Sequence, residues 1–525
     1  MKHALKRIRW DEIFVLVVAT VTRFYRLGHQ SLWLDEVHAF FDSKAPLLSR
    51  ELAMSTFTPP GHGALLQLWT RLGYGARGIP YGEGEWWLRF PSAALGVVAV
   101  WALYRIAREL YDERIAFWTG LLFALAPLQV WYSQEARAYG PLQALAFLST
   151  WALLRYARDG RARDAVGYTV WSSLAVLFHY PALFLFAAHG LWWLIVRPGG
   201  GRRMAGAFAA WAFILVAVTF PLLMLHFFPM KAHAGTVVTF AEKPPPVWLG
   251  FGYTLYTFCV GQSFGPSIPE LRYEGLSALV RHGPAMAAAG VAFGVPALLG
   301  LWAVARRRPA AWARSDLLVV LWLAMPLGFT LLFALAWSDP YRVPYNVRYA
   351  LLAAGGVPLL LARGALSLRG RVGRGAVLAG LVAVSLVSLR GYYFDPRYAK
   401  DDARSAAAFV HGRARPGDRV VVLSKTFGEW TWRNYFGDEI PSIVFPRDEG
   451  VGDAVLDRVL GPLKDRPGAL FLVEARAWEN DPEHRTRAWL DAHMGLHRRH
   501  SFTGVDVTVY NPHPTDSPGK VAGTE

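Results

Sequence analysis

The chain has 525 residues, of which 54% are hydrophobic and 18% charged, and a mean hydropathy of +0.24, which excludes ordinary soluble globular packing and makes lipid the expected solvent. A formal net charge of +16 often signals nucleic-acid binding, but Lys and Arg fall here in short runs between apolar segments, so the charge encodes topology and no nucleic-acid partner is expected. Cys259 is the only cysteine, which excludes an intrachain disulfide and a cysteine-based metal site.

In chain order, the basic start (Lys2, Lys6, Arg7, Arg9) and the apolar run at 13–21 resemble a signal peptide. No small-residue cleavage site follows, while Arg23, Tyr25 and Arg26 do, so an uncleaved first span is predicted at 12–28. Further apolar stretches near the ~20 residues that cross a bilayer recur at 89–108, 114–132, 140–157, 164–180, 181–197, 204–228, 280–305, 315–337, 347–363 and 374–391, about eleven spans in all. The Lys- and Arg-rich segments alternate accordingly. The N-terminus, the turn with Arg105, Arg108 and Arg114, and the loops 155–163, 197–203, 306–314 and 363–374 all fall on one side, which the positive-inside rule makes cytoplasmic.

The opposite face receives a long first loop at 29–88, a loop near 229–279 and the segment from 392 onward. A site there reaches extracytoplasmic substrates but not cytoplasmic nucleotides. Within the last segment, β-rich runs at 419–424, 440–445, 469–473 and 505–510 alternate with helix-like stretches at 403–411 and 486–493, which reads as a small α/β domain. The Pro-, Gly-, Ser- and Thr-rich end is expected to be disordered. The predicted organisation is a transmembrane domain at 1–391, an extracytoplasmic α/β domain at 392–511 and a disordered tail at 512–525. The chain is expected to be an all-α polytopic protein of the plasma (inner) membrane, with a cytoplasmic N-terminus. There is no tandem repeat, no GxxxxGK[ST] and no dinucleotide fingerprint after a strand.

Just past the first span, Ser31-Leu32-Trp33-Leu34-Asp35-Glu36 places two adjacent carboxylates where the chain leaves the membrane. Helix neighbours point about 100° apart, so the two acids do different jobs. Either they sit at the N-terminus of an amphipathic helix starting near Val37, where the dipole favours acids, or they carry chemistry. Farther along, Thr58-Pro59-Pro60-Gly61-His62 forms a rigid turn before an apolar helix at 64–72 that lies along the membrane surface. His62 either orients a ligand or phosphate or merely opens that helix.

Between two spans lies Trp131-Tyr132-Ser133-Gln134-Glu135-Ala136-Arg137-Ala138-Tyr139. Ionisable groups at membrane depth are costly, and this loop is too short to fold alone, so function is favoured over a Glu135 and Arg137 anchor. His179-Tyr180 ends the fifth span, and Tyr341-Arg342-Val343-Pro344-Tyr345-Asn346-Val347-Arg348-Tyr349 precedes the tenth. Arg beside Tyr suits a phosphate oxyanion, bound in bidentate fashion by the guanidinium, although snorkelling Arg and interfacial Tyr give the same pattern.

With these residues in view, the chain resembles the polytopic glycosyltransferases of the C-type superfamily, in the group of the protein O-mannosyltransferases and the lipid A aminoarabinose transferases. The resemblance rests on Asp35-Glu36, on Pro59-Pro60 with its following helix, on Ser133-Gln134-Glu135-Ala136-Arg137-Ala138-Tyr139 and on Arg348-Tyr349 heading a late span. It extends to Leu88-Arg89-Phe90-Pro91-Ser92-Ala93 and Asp401-Asp402-Ala403-Arg404, and so covers residues 30–410 or so. One departure is Thr58 before the paired prolines, where relatives often carry His; here His62 follows them.

The resemblance implies the C-type glycosyltransferase fold and transfer of a sugar from a polyprenyl-phosphate donor to a lipid, glycan or protein acceptor on the outer face, by an inverting displacement. It implies Asp35 as general base, with Glu36 and Glu135 as further catalytic acids, and Arg137, Arg348, Tyr349 and Tyr139 around the donor phosphate. His62, Arg89, His179 and Tyr180 are further candidates. The resemblance fixes no cofactor, and a divalent cation is possible: Glu36 and Glu135 together could hold one, since hard cations choose carboxylate oxygens. A transporter or lipid flippase is the alternative class; it would place charges at mid-span and show related halves, and neither is found here. A membrane anchor for the outer α/β segment is a third reading.

Overall fold

The computed structural model describes residues 9–46, 59–197, 212, 216–217, 220, 224, 247–305, 314–336, 347–423, 428–437, 441–445, 451–464, 466–477, 481–495 and 497–511. Most of the expected span 204–228, the residue Thr58, the stretch 341–346 and the tail 512–525 lie outside the described residues. The chain divides into two compact units. One contains Met1–Leu27, Ala45–Trp69 and Leu88–Tyr398; the other contains Gly28–Lys44, Thr70–Trp87 and Ala399–Glu525.

The first unit is helical. Among the described residues of the chain, five helices are long and apolar enough to cross a membrane: Glu85–Leu110, Leu276–Ala305, Ser315–Leu335, Val347–Ser367 and Arg371–Phe394. The Glu113–Leu125 and Pro127–Ser133 helices would make a sixth if the bent pair is one span. The 60° bend falls where Pro127 lacks the N–H that would bond the Phe123 carbonyl. Shorter apolar helices, Ala182–Val196 and Val247–Val260, accompany them, and the first helix is Trp10–Phe24.

Arg23, from the last turn of that first helix, is fully buried and repairs the bend. Its Nη1 donates to the Ala124 carbonyl at 3.0 Å and its Nη2 to the Phe123 carbonyl at 3.3 Å. Gln134 returns the service: its Nε2 donates to the carbonyls of Arg23 at 3.0 Å and Tyr25 at 2.8 Å, two acceptors that the end of the first helix leaves unpaired. The Gln134 Oε1 in turn accepts from the Tyr392 hydroxyl at 2.8 Å. Two helix ends and the late Arg371–Phe394 helix are thereby tied together by direct hydrogen bonds.

The second unit is an α/β layer structure with a five-stranded sheet in the order β2-β1-β3-β5-β4. The strands are β1 (Arg419–Leu423), β2 (Ser442–Phe445), β3 (Leu470–Ala475), β4 (His497–Phe502) and β5 (Val505–Tyr510). β2, β1 and β3 run parallel, while β5 and β4 are antiparallel additions. Strand alternation builds two cores. Val420, Val422, Phe471, Val473 and Val507 face one side with the Ala403–His411 helix, while Val421, Leu423, Leu470 and Leu472 face Leu456, Leu460 and Leu490 on the other. Strands predicted at 419–424, 440–445, 469–473 and 505–510 and helices predicted at 403–411 and 486–493 are present within a few residues. β4 and the Asp453–Lys464 helix are additions that the sequence reading did not contain.

Candidate functional site

In the first unit, the turn after the broken helix pair presents Glu135, Arg137 and Tyr139. Arg137 is held from behind: its carbonyl accepts from the Ser92 hydroxyl at 3.0 Å. A side chain at Gly140 would lie 2.5 Å from the Ser92 carbonyl, so the opening of the Tyr139–Asp159 helix can approach only as glycine. This gives the Leu88-Arg89-Phe90-Pro91-Ser92-Ala93 string a physical role as the floor beneath Arg137. Arg89 itself is buried and donates to the Leu27 carbonyl at 2.9 Å.

Arg348 opens the 3-10 helix Val347–Gly355, and its Nη1 donates to the Tyr139 hydroxyl at 3.4 Å. Tyr139 packs edge-on against Tyr132 at 4.7 Å and against His179 at 5.9 Å, and His179 stacks on Tyr349 at 6.4 Å. Arg137 and Arg348 both act electrostatically on His179, and Arg348 acts on Tyr132. His62 joins the group through Gly61, whose missing side chain lets the turn sit on the Leu177 carbonyl and the Phe178 ring, one residue before His179. Burial, reinforced by Arg137, pushes the His62 imidazole down to about 3, so it is neutral at ordinary pH.

Five expected residues, Arg137, Tyr139, His179, Arg348 and Tyr349, thus share one neighbourhood with His62, and Tyr132 enters it beside them. Tyr132 was visible in the motif but had no signal separating it from a belt tyrosine. Glu135 is buried and accepts from Trp131 Nε1 at 2.8 Å. Tyr180 packs against the main helical core. Among the described residues, His62 Nε2 and His179 Nδ1 are buried without a hydrogen-bond partner. Two orphaned imidazole nitrogens near two guanidiniums make a cluster whose polar groups are incomplete on their own.

The acidic pair belongs to the second unit. Asp35 and Glu36 occupy the first turn of the Leu34–Lys44 helix. They diverge as helix neighbours must. Asp35 is half-buried, whereas Glu36 is fully buried and its Oε2 accepts from Lys400 Nζ at 3.1 Å. Lys400 was missed by sequence reasoning, because a lysine one residue before Asp401-Asp402 looks like surface charge. Asp401 also serves this helix start, its carbonyl accepting from the Ser31 hydroxyl at 2.8 Å while its carboxylate pairs with Arg476. Among the described residues, no group of three or more His, Cys, Asp or Glu side chains is arranged to hold a metal ion.

Residues 58–225 match the family model described as dolichyl-phosphate-mannose-protein mannosyltransferase. No curated protein matches the chain in sequence. Among solved structures, the chain is similar to ArnT from Cupriavidus metallidurans bound to undecaprenyl phosphate, at 14% identity and a TM-score of 0.54 over 97% of this chain and 99% of that one. It is also similar to the archaeal oligosaccharyltransferase AglB from Archaeoglobus fulgidus in complex with an inhibitory peptide and a dolichol-phosphate, at 13% identity and a TM-score of 0.52 over 97% of this chain and 75% of that one. At such identities the likeness is one of fold. The resemblance drawn from the motifs therefore holds at the level of an ArnT-like, C-type glycosyltransferase fold in a multi-pass membrane protein.

Proposed function

We propose that the chain transfers a sugar from a polyprenyl-phosphate-linked donor to a lipid, glycan or protein acceptor on the extracytoplasmic face of the membrane, with inversion at the anomeric carbon. The observation that carries this reading is the cluster of half-buried Arg137 and Arg348 with buried Tyr139, His62 and His179, which joins two guanidiniums to orphaned imidazole nitrogens. The family match over 58–225 and a shared fold with a transferase bound to undecaprenyl phosphate support the same donor chemistry.

In the proposed step, the acceptor oxygen bonds to the anomeric carbon as the bond from that carbon to the phosphate oxygen breaks. The acceptor proton passes to Asp35, whose partial exposure suits a group that must exchange protons with solvent between turnovers. The departing lipid phosphate changes from a singly charged diester to a doubly charged monoester. Preset cations at that position are strongest where charge appears, which is the role given to Arg137 and Arg348, with Tyr139 and Tyr349 beside them. Glu36 acts through Lys400 to hold the Asp35 turn in place, and Glu135 through Trp131 to hold the Arg137 turn. With those donors in place, a divalent cation between the two glutamates is not part of the proposal.

The test is transfer from a defined polyprenyl-phosphate sugar in membranes. Asp35→Asn is expected to lower kcat by roughly 10²- to 10⁴-fold with donor KM within a few-fold of wild type. Arg137→Ala and Arg348→Ala are each expected to cost about 10²-fold or more in kcat/KM for the donor. Asp35→Asn at wild-type rate would remove the base, and normal donor kinetics in both arginine variants would remove the phosphate site.

A further inference from the structure

The first unit carries a cavity that the transfer reaction does not use. It has a volume of about 550 Å³ and is lined by Arg114, Arg371 and Arg374, by Asp11 and Glu113, and by Phe117 among its apolar residues. Asp11 lies in the first turn of the Trp10–Phe24 helix and Arg23 in the last, about 18 Å apart at 1.5 Å per residue. The cavity therefore opens at the end of that helix remote from the one Gln134 caps. That end carries the arginine-rich loops assigned to the cytoplasm.

Its charges are unevenly committed. Asp11 accepts from the Tyr104 hydroxyl at 3.1 Å, and Glu113 is paired with Arg9 and lies 3.7 Å from Arg108. Both lining acids thus have partners. Arg114 and Arg371 are exposed and, among the described residues, have no ion-pair partner, while Arg374 spends one Nη on the Leu368 carbonyl and keeps a buried Nε without an acceptor. The Arg371–Phe394 helix begins here with Gly370, which offers no side-chain cap, so its first-turn N–H groups add to the positive field. By contrast, the neighbouring Glu113–Leu125 helix is capped by Asp112. Phe117 continues the wall outward by stacking with Phe14 at 6.2 Å, and Phe14 is half exposed on the flank of the first helix. An anionic head and an apolar tail are the two ends of one ligand class.

We propose that this cavity binds the phosphate of an anionic phospholipid of the cytoplasmic leaflet, with Arg114 and Arg371 on the headgroup and the acyl chain along Phe117 and Phe14. Basic pockets between membrane helices on that side are suited to such headgroups, and a guanidinium fork matches a phosphate diester. The occupant is a lipid rather than free phosphate, because the apolar wall leads out of the cavity to a membrane-facing surface.

The experiment is native mass spectrometry of the full chain released from nanodiscs containing equal phosphatidylglycerol and phosphatidylcholine. Wild type is expected to retain phosphatidylglycerol about tenfold over phosphatidylcholine, and the Arg114→Gln/Arg371→Gln double variant to lose that preference. A second variant leaves every charge in place. A side chain at Gly375, on the cavity wall, meets nothing within 4 Å, so Gly375→Trp fills the cavity while favouring its helix, and it too is expected to lose the lipid. Equal retention of the two lipids by wild type, or unchanged phosphatidylglycerol in both variants, overturns the proposal. Displacement of the adduct by millimolar inorganic phosphate would assign the cavity to a free anion and likewise overturn it.

Discussion

His62 shows what burial does to one side chain. An imidazole that titrates near 6.5 in the unfolded chain is pushed down to about 3 in the fold by desolvation first and Arg137 second. The unfolded state therefore binds the extra proton between those two values. His62 contributes its full stability above pH 6.5 and loses it progressively as the pH falls towards 3, at a cost of roughly 2 to 3 kcal/mol at pH 4.5. His62→Gln is expected to lessen the loss of thermal stability between pH 7.5 and pH 4.5 in detergent; an unchanged acid sensitivity would show that the imidazole does not pay that penalty. Gln134 makes a different kind of residue-scale prediction. Gln134→Ala strips donors from the Arg23 and Tyr25 carbonyls and an acceptor from the Tyr392 hydroxyl, and is expected to destabilise the fold by about 2 to 4 kcal/mol, read as a lowered melting temperature. The sequence presented Ser133 to Arg137 as one polar cluster. Only the folded structure separates Gln134, which mends helix ends, from Arg137, which acts on the imidazoles, because both are polar residues in a stretch where apolar ones are expected.

At the scale of elements, close approaches and turns decide more than periodicity does. The β4–β5 hairpin turns through Thr503-Gly504, where Gly504 has φ of +68° and an added Cβ would overlap the Asp401 carboxylate. Gly504→Ala is expected to cost about 1 to 3 kcal/mol, combining a left-handed backbone with displacement of the Asp401 and Arg476 pair. Loss of protection at the 402 and 476 amides in hydrogen exchange would report it, since Asp402 N donates to the Thr503 carbonyl and Arg476 N to that of Gly504. Strands β1, β3 and β5 were legible because buried strands read as Val-, Leu- and Phe-rich runs. β4, His497–Phe502, was not: it is an edge strand like β2, but where β2 keeps an apolar Ile-Val-Phe run, the exposed and charged residues of β4 hide it from any hydrophobic pattern, with Arg499 paired across the ladder to Asp506. The Pro59-Pro60-Gly61-His62 turn was legible as a rigid stop, but not as the place where Gly61 sits on the Leu177 carbonyl and the Phe178 ring, just before His179, since a glycine's missing side chain carries no periodic signal.

For the whole molecule, apolar runs made the multi-pass character legible, but short and bent helices blur the number of crossings: about eleven runs were read, and five helices among the described residues are long and apolar enough by themselves. What linear order concealed is the make-up of the second unit, where segments 28–44 and 70–87 pack with 399–525. Leu34 packs on the core of the Ala403–His411 helix and the sheet, Lys400 pairs with buried Glu36, and Glu85 accepts both from Arg404 at 2.9 Å and from the Tyr435 hydroxyl at 3.1 Å. A chain beginning at 399 would lose all of these at once. Glu36 is fully buried and the Lys400 side chain 6% exposed, and breaking such a pair costs about 3 to 5 kcal/mol, a large part of a small domain's stability. The isolated segment 399–511 is therefore expected to unfold over a broad thermal range, with hydrogen-exchange protection kept in β1, β3 and β5 and lost in the Ala403–His411 helix. A sharp transition with that helix fully protected would show instead that the outer domain is self-sufficient. Support of the Asp35 turn is tested separately by Lys400→Met in the full chain, where unchanged transfer kinetics would show that the Glu36–Lys400 pair does not hold it. If the dependence is mutual, the same substitution lowers kcat while leaving donor KM near wild type, because the disturbed group is the base and not the phosphate site.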